Sequence, residues 1–132
     1  MKAQILSAKK YNKKLKVTIQ SSGKLGFTDE TAKAFNLSEK ASFIKFILDE
    51  ENPDDLYLSL STTYDEDAFK VCKAGDYFYL PTTLLFNEMG YNYKEYTIIF
   101  DLSRYSQYDE EFGGEVYRMF KREKSKKEVS MK

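Results

Sequence analysis

Apolar and polar residues alternate along several short stretches of the chain, with the period of two that is typical of half-buried β-strands. Leu15, Val17 and Ile19 lie between polar neighbours, and residues 56–61 repeat this alternation. Polar and turn-forming residues separate such stretches, and residues 103–114 are predicted to form a long polar loop. The predicted strands are residues 15–20, 24–27, 43–48, 56–61, 69–72, 77–80, 97–102 and 115–121.

Two short helices are predicted between these strands. Thr28, followed by Asp29 and Glu30, is typical of a helix start. A threonine hydroxyl can cap the first turn, and acidic side chains favour the positive end of the helix dipole. Asn36 and Gly90 suit the left-handed conformation in which many helices end. Because both helices are short, their stability must come from packing against the strands.

The order of the elements repeats along the chain, with Gly23 and Gly75, 52 residues apart, preceding the two helices. This order predicts two β-α-β-β halves, about residues 15–61 and 69–121, with Phe46 and Phe100 central in a shared core. The alternative is chance similarity between two ordinary strand–helix–strand runs. The pairs Phe35/Met89, Ile44/Ile98, Phe46/Phe100 and Leu48/Leu102 are each 54 residues apart.

The segment Leu-Pro-Thr-Thr-Leu-Leu-Phe-Asn-Glu-Met-Gly-Tyr, residues 80–91, resembles a signature of the AbrB/MraZ-like transcription regulators. In that family an apolar residue and a proline precede a short amphipathic helix that ends near glycine. Residues 27–37 are similar but lack the proline. MraZ-like members carry two such halves in one chain. The resemblance covers residues 15–121 and implies an α+β, β-rich fold, in which two tandem β-α-β-β halves form a swapped-hairpin-like β-barrel, and a function in DNA binding and transcription regulation.

The length of 132 residues fits a single domain, predicted here as residues 1–121. Cys72 is the sole cysteine, so no intramolecular disulfide can form, which fits a reducing compartment. No apolar run reaches the roughly 18 residues of a membrane-spanning helix, and residues 1–10 lack the apolar centre of a signal peptide. The sequence therefore predicts a cytoplasmic protein without a membrane partner.

Basic residues are concentrated at both ends of the chain. Residues 1–24 carry seven lysines and no acid, and residues 118–132 carry seven basic groups and two acids. The remaining residues hold seven basic and 19 acidic groups. Residues 122–132 are predicted to be a disordered basic tail. Basic ends could contact nucleic acid or an anionic surface; alternatively, they are solvated, or they lie across the acidic body.

Lysines near the start of the chain are the candidate nucleic-acid contacts, because ammonium groups on a strand and its turn can reach phosphates. Tyr11 lies among these lysines and could stack on a base. Alternatively, the lysines protect an edge strand against aggregation. Tyr105, Tyr108 and Phe112 could form a partner surface or cover the end of the barrel. The candidate nucleic-acid-binding residues are Lys9, Lys10, Lys13, Lys14, Lys16 and Lys24.

The composition argues against the common catalytic and metal-binding arrangements. The chain has no histidine, which removes the commonest general base, its pairs with serine or cysteine, and most zinc sites. The acidic runs at residues 49–55 and 65–67 lack the spacing and central glycine of a calcium loop. We therefore predict no catalytic residue, metal or cofactor. The predicted function is non-enzymatic nucleic-acid binding; the alternative is a protein-interaction or scaffold domain, with a protein partner or self-association, that does not bind DNA.

Overall fold

The computed structural model describes residues 2–6, 14–122 and 125–126. Within these residues, ten β-strands are joined by turns and three short α-helices, which confirms the predicted β-rich character. The strands are β1 (Leu15–Ile19), β2 (Leu25–Phe27), β3 (Phe43–Leu48), β4 (Leu56–Ser61), β5 (Phe69–Lys70), β6 (Cys72–Ala74), β7 (Tyr77–Leu80), β8 (Tyr96–Arg104), β9 (Val116–Lys121) and β10 (Ser125–Lys126). The helices are α1 (Asp29–Ala34), α2 (Thr83–Glu88) and α3 (Asp109–Phe112), the last preceded by a 3-10 turn at Ser106–Tyr108.

Antiparallel pairing links the strands in the order β5-β3-β4-β9-β8-β1-β2-β7-β6, with β10 paired to β8. The two strands at the ends of this order, β5 and β6, are separated in the chain by Val71 alone, whose N–H donates to the Ser42 carbonyl at 3.0 Å. Residues 69–74 therefore pair with β3 through their first half and with β7 through their second half. The sheet is thus a nearly closed barrel, and the predicted barrel is confirmed at this level.

The predicted alternation places the apolar side chains of neighbouring strands opposite one another inside the barrel. Val17 pairs with Phe100 and Ile19 with Ile98, and all four are buried. Phe100 is central, as predicted. Phe46 is only half-buried, which corrects its predicted place in the centre of the core. The short strand β5 pairs only with the first two residues of β3, so the later part of β3 lies beside an uncovered edge.

The two helices α1 and α2 end in the same way, and the predicted ends at Asn36 and Gly90 are confirmed. Both residues are left-handed, with φ of 52° and 78°. In each case the next residue donates its N–H to a carbonyl five positions earlier, the hydrogen bond of a Schellman motif. These bonds join Leu37 to Ala32 at 3.0 Å and Tyr91 to Phe86 at 3.1 Å.

The predicted polar loop at residues 103–114 is wrong. Strand β8 continues to Arg104, and the 3-10 turn and α3 follow. The carboxylate of Asp109 organises this segment, because it accepts hydrogen bonds from the Arg104 guanidinium at 2.7 and 2.5 Å and from the Val116 N–H at 3.0 Å. The strand predicted at residues 69–72 is interrupted at Val71 and extends to Ala74.

The chain continues past β9 into β10, whose two residues pair with Thr97 and Tyr96 of β8. The other parts of the predicted basic tail, residues 123–124 and 127–132, lie outside the described residues.

Candidate nucleic-acid interface

Three of the six candidate lysines can be placed on the barrel. Lys14 precedes β1, Lys16 lies within β1, and Lys24 precedes β2. Lys14 and Lys16 are therefore at one end of the β1–β2 hairpin, and Lys24 is at the other end, beside the turn. Lys9, Lys10, Lys13 and Tyr11 lie outside the described residues.

Helix α1 fixes the backbone of Lys16 through the buried hydroxyl of Thr31. Strand β2 ends at Phe27, which pairs with Val17, so the backbone of Lys16 has no partner strand on that side. The hydroxyl of Thr31 takes its place: it accepts the Lys16 N–H at 2.8 Å and donates to the Lys16 carbonyl at 3.0 Å. Because side chains alternate along a strand, the buried Val17 leaves Lys16 on the outer face.

Asp101 lies between the two basic ends of the chain. It pairs in register with Lys16 across β1 and β8. On the other side of β8, the N–H of Arg122 donates to the Ile99 carbonyl at 2.9 Å, and the Arg122 guanidinium donates to both Asp101 carboxylate oxygens at 2.8 Å. This hydrogen-bonded guanidinium, together with Lys16 and Lys14, holds the pKa of Asp101 below its ordinary value. The structure therefore brings cations from both ends of the chain around one carboxylate.

Further carboxylates border these cations on the side of α1. Asp29 and Glu30 lie in the first turn of α1 and line a shallow cleft with Lys14 and Lys16. Acids in this position stabilise the helix through its dipole. They also reduce the positive potential on that side, so the more basic part of this surface faces Arg122 and β8.

A second group of side chains, on the outer face of β2 and β7, includes Lys24. Its ammonium lies 4.8 Å from the centre of the Tyr79 ring, within range of a cation–π interaction. The rings of Tyr77 and Tyr79 are nearly parallel, with centres 6.2 Å apart and planes inclined by 19°. Both rings are half-buried, and the Tyr77 hydroxyl contacts the side-chain amide of Gln20. The sequence prediction missed these tyrosines, although their spacing of two residues in a strand places them on one face.

Each of the three arginines in the chain is described by the structure and forms an ion pair with an aspartate. Arg104 pairs with Asp109 at 2.5 Å, and Arg118 pairs with Asp55 at 2.6 Å. Arginine is the residue best suited to bidentate contacts with phosphates and guanines. In this structure its donors instead hold neighbouring segments of the barrel together.

The aromatic residues of the 105–112 segment pack against the outer face of β4. The rings of Tyr105 and Tyr108 lie 5.2 and 5.3 Å from the ring of Tyr57, and Phe112 lies 5.7 Å from Tyr108. Tyr57 is 3% exposed as a result. The cluster therefore covers the side of the barrel rather than its end.

The acidic runs have structural roles where the structure shows their contacts. Asp49 accepts backbone N–H groups of Glu51 and Asn52 at 2.9 and 3.3 Å, as a turn-forming aspartate does. Asp65 pairs with Lys45. In the described part of the chain, no three Cys, Asp or Glu side chains come close enough together to hold a metal ion.

Among the residues placed by the structure, none belongs to a helix that is both long and apolar enough to cross a membrane. Comparison of the chain with protein-family models, with curated proteins and with solved structures finds no match.

Proposed function

We propose that this protein is a non-enzymatic nucleic-acid-binding protein with a role in transcription regulation, and that it binds through the outer face of β8, β1 and β2. The observation that carries the proposal is the meeting of both basic ends around Asp101, where Lys14 and Lys16 lie on one side and Arg122 on the other. Ammonium and guanidinium groups on one face can contact successive phosphates without reading base sequence.

The chain on either side of this face supplies additional positive charge. Asp29, Glu30 and Asp101 balance Lys14, Lys16 and Arg122, so the excess of positive charge on this face depends on Lys24 and on the adjoining segments. These segments carry Lys9, Lys10 and Lys13 before β1, and Lys124, Lys126 and Lys127 after β9.

We also propose that the barrel consists of two tandem halves of the swapped-hairpin type. The strand pairings support this: if β1 to β4 are exchanged with residues 69–74, β7, β8 and β9, every pairing among these strands becomes an observed pairing, and only the β10–β8 pair has no described counterpart. The β1–β8 pair becomes the pair of residues 69–74 with β3, and β1–β2 becomes β6–β7. The pairs β2–β7 and β4–β9 are exchanged with themselves.

Two clefts lie at positions that this exchange makes equivalent, which also supports the two tandem halves. One cleft of about 450 Å³ lies at the end of α1, where β4 ends and β9 begins, and is lined by Phe35, Asn36 and Leu37. The other, of about 260 Å³, lies at the end of α2, where β9 ends and β4 begins, and is lined by Met89, Gly90 and Tyr91. Equivalent positions of the two helices thus border equivalent clefts.

The test is a binding titration with duplex and single-stranded DNA at about 50 and 200 mM salt, where phosphate contacts make affinity fall steeply. Replacement of Lys13, Lys14, Lys16 and Lys24 together by glutamine removes four of the candidate positive charges, of which Lys14, Lys16 and Lys24 are placed by the structure. The matched control replaces four exposed lysines elsewhere, Lys33, Lys40, Lys70 and Lys94, by glutamine. Both variants have the same net charge, so only the location of the lost charge differs.

We expect the first variant to bind more weakly and to lower the slope of log K against log salt by up to about 3.6 for duplex DNA, if all four lysines contact phosphates. The control should retain the wild-type slope. Equal losses in the two variants would show a general effect of net charge and contradict the proposed face. Unchanged binding in the first variant would contradict the contribution of these lysines and would leave Arg122, with Arg118, Lys121 and the residues behind them, as the site.

A second candidate function, a protein-interaction or scaffold domain, is favoured by the charge of the body. Residues 14–122 carry 13 basic and 19 acidic groups, and every arginine is engaged by an aspartate. Absence of binding to any nucleic acid at about 50 mM salt would eliminate the first proposal and leave this candidate.

A further inference from the structure

The outer face of the barrel carries an aromatic surface next to the basic one. In register across five strands lie Ile99, Thr18, Gly26, Tyr79 and Cys72, from β8 through β1, β2 and β7 to β6. Three strand spacings, roughly 14 Å, separate the β8 end of this row from Tyr79. The basic face around Asp101 and the tyrosines of β7 are therefore close enough for one short oligonucleotide to contact both.

Gly26 allows the tyrosines to lie close to the sheet. A Cβ at this position would overlap the hydroxyl of Tyr77, whose ring reaches across β2 toward Gln20. The backbone of Gly26 is buried beneath this ring. A glycine in the interior of a strand weakens it unless a close approach requires the missing side chain. Here the close approach is that of Tyr77, with Tyr79 nearly parallel beside it.

Lys24 places a cation over the ring of Tyr79, which a stacking base would displace toward its own phosphate. Its ammonium is 4.8 Å from the centre of the Tyr79 ring, and its side chain is half-buried along the surface. Surfaces that bind single strands combine aromatic rings, on which bases stack, with cations that follow the phosphates. In a duplex the faces of the bases are covered by their neighbours, so a ring on the protein surface cannot reach them.

We infer that Tyr77 and Tyr79 form a stacking surface for unpaired bases and that the nucleic acid bound by this protein is single-stranded. Tyr79 stacks on a base, Lys24 contacts the adjoining phosphate, and the cations around Asp101 hold the continuation of the strand. The inference rests on the proposed function, because it requires that the basic face binds nucleic acid.

The experiment measures the affinities of labelled oligo(dT) and oligo(U) of about 12 nucleotides and of a duplex of equal length. Tyr79→Ala removes the ring, Tyr79→Phe keeps it, and Tyr79→Leu keeps an apolar side chain without an aromatic face. The matched control is Tyr64→Ala, which removes a tyrosine that is 74% exposed and packs on Phe43, away from this surface. Thermal melts establish that each variant is folded, and Tyr79→Leu replaces Tyr79→Ala in the comparison if the alanine variant is not.

We expect at least one of the two oligonucleotides to bind more tightly than the duplex. The alanine and leucine variants should then lose about 5- to 150-fold in affinity for it, because stacking on one ring contributes about that factor. Tyr79→Phe and Tyr64→Ala should bind as the wild type does. Comparison of the affinities for oligo(dT) and oligo(U) shows whether the protein prefers DNA or RNA.

A second readout uses the wild-type protein. Cys72, the sole cysteine, pairs in register with Tyr79, so a bound oligonucleotide should slow its alkylation by iodoacetamide. Preference for the duplex, or oligonucleotide binding that the alanine and leucine variants leave unchanged, would overturn the stacking inference while the proposed function stands. Failure of the wild type to bind any of the three nucleic acids would remove both.

Discussion

Replacement of Thr82 by valine is the most direct test of how α2 is attached to the barrel. The Thr82 hydroxyl is fully buried, accepts the Leu25 N–H at 3.0 Å and donates to the Gly23 carbonyl at 3.0 Å. Strand β7 ends at Leu80, opposite Leu25, so this hydroxyl takes the place of the next residue of the strand. Valine has nearly the same shape but leaves both backbone groups of the β1–β2 hairpin without this partner.

The expected loss follows from the two groups that valine would leave unsatisfied. A buried donor or acceptor without its partner costs about 1–3 kcal/mol. The Leu25 N–H and the Gly23 carbonyl would each lose a hydrogen bond of 3.0 Å. A buried carbonyl without a partner is tolerated somewhat better than a buried N–H without one, so the carbonyl should contribute the smaller part of the loss. We therefore expect Thr82→Val to lower the free energy of unfolding by about 2–4 kcal/mol, a large part of the 5–15 kcal/mol of a typical domain.

The assay is urea denaturation of the wild type, Thr82→Val and Thr83→Val. Thr83 is the next residue in the chain and donates its hydroxyl to the Ser22 carbonyl at 2.8 Å, but this bond is accessible to water. Its replacement by valine should cost less than about 1 kcal/mol, because water can satisfy the carbonyl. Equal losses for the two variants, or a loss below about 0.5 kcal/mol for Thr82→Val, would refute the reasoning.

Two further predictions concern the core and its response to pH. Phe100→Ala should cost about 3–5 kcal/mol in urea denaturation and Phe46→Ala clearly less, because Phe100 is 1% exposed and Phe46 is half-buried; a larger loss for Phe46→Ala would contradict the strand facing. Burial, with a hydrogen bond to Glu115, raises the pKa of Tyr117 from 10.0 to about 12. The unfolded chain therefore loses this proton first, and stability should fall as pH rises from about 10 to 12. Tyr117→Phe should reduce that slope in denaturation curves measured across this range, and an unchanged slope would show that Tyr117 is not its source.

The strands could be predicted from the sequence because a strand with one buried face requires apolar and polar residues to alternate. The same holds for the helix ends, since Asn36 and Gly90 are suited to a left-handed conformation that few other residues adopt. The structure of the segment after β8 could not be predicted from the sequence. Its polar composition is typical of a loop, and it becomes helical only because Asp109 meets Arg104 and Val116, and because Tyr105 and Tyr108 meet Tyr57.

The candidate site could be predicted from the sequence only in part. The lysines of the first strand stand out as a run of like charge, and alternation places Lys16 outward. The neighbours of Lys16 could not be identified from the sequence, because Asp101 and Arg122 lie near it only through the pairing of β1 with β8. Tyr79 and Lys24 likewise meet through the pairing of β2 with β7. Such pairings between distant strands depend on the whole barrel.

The pairing of early strands with late strands has a consequence for the order in which the chain can fold during synthesis. Strand β1 pairs with β2 nearby but also with β8, about 80 residues later in the chain. Strands β2 and β4 likewise pair with β7 and β9, which are synthesised later. Until residues 69–121 leave the ribosome, the strands β1 to β4 expose four unpaired edges, which other chains could pair with. We therefore expect the barrel to form late and slowly for its size, in milliseconds to seconds rather than microseconds, with the nascent first half as its most aggregation-prone state.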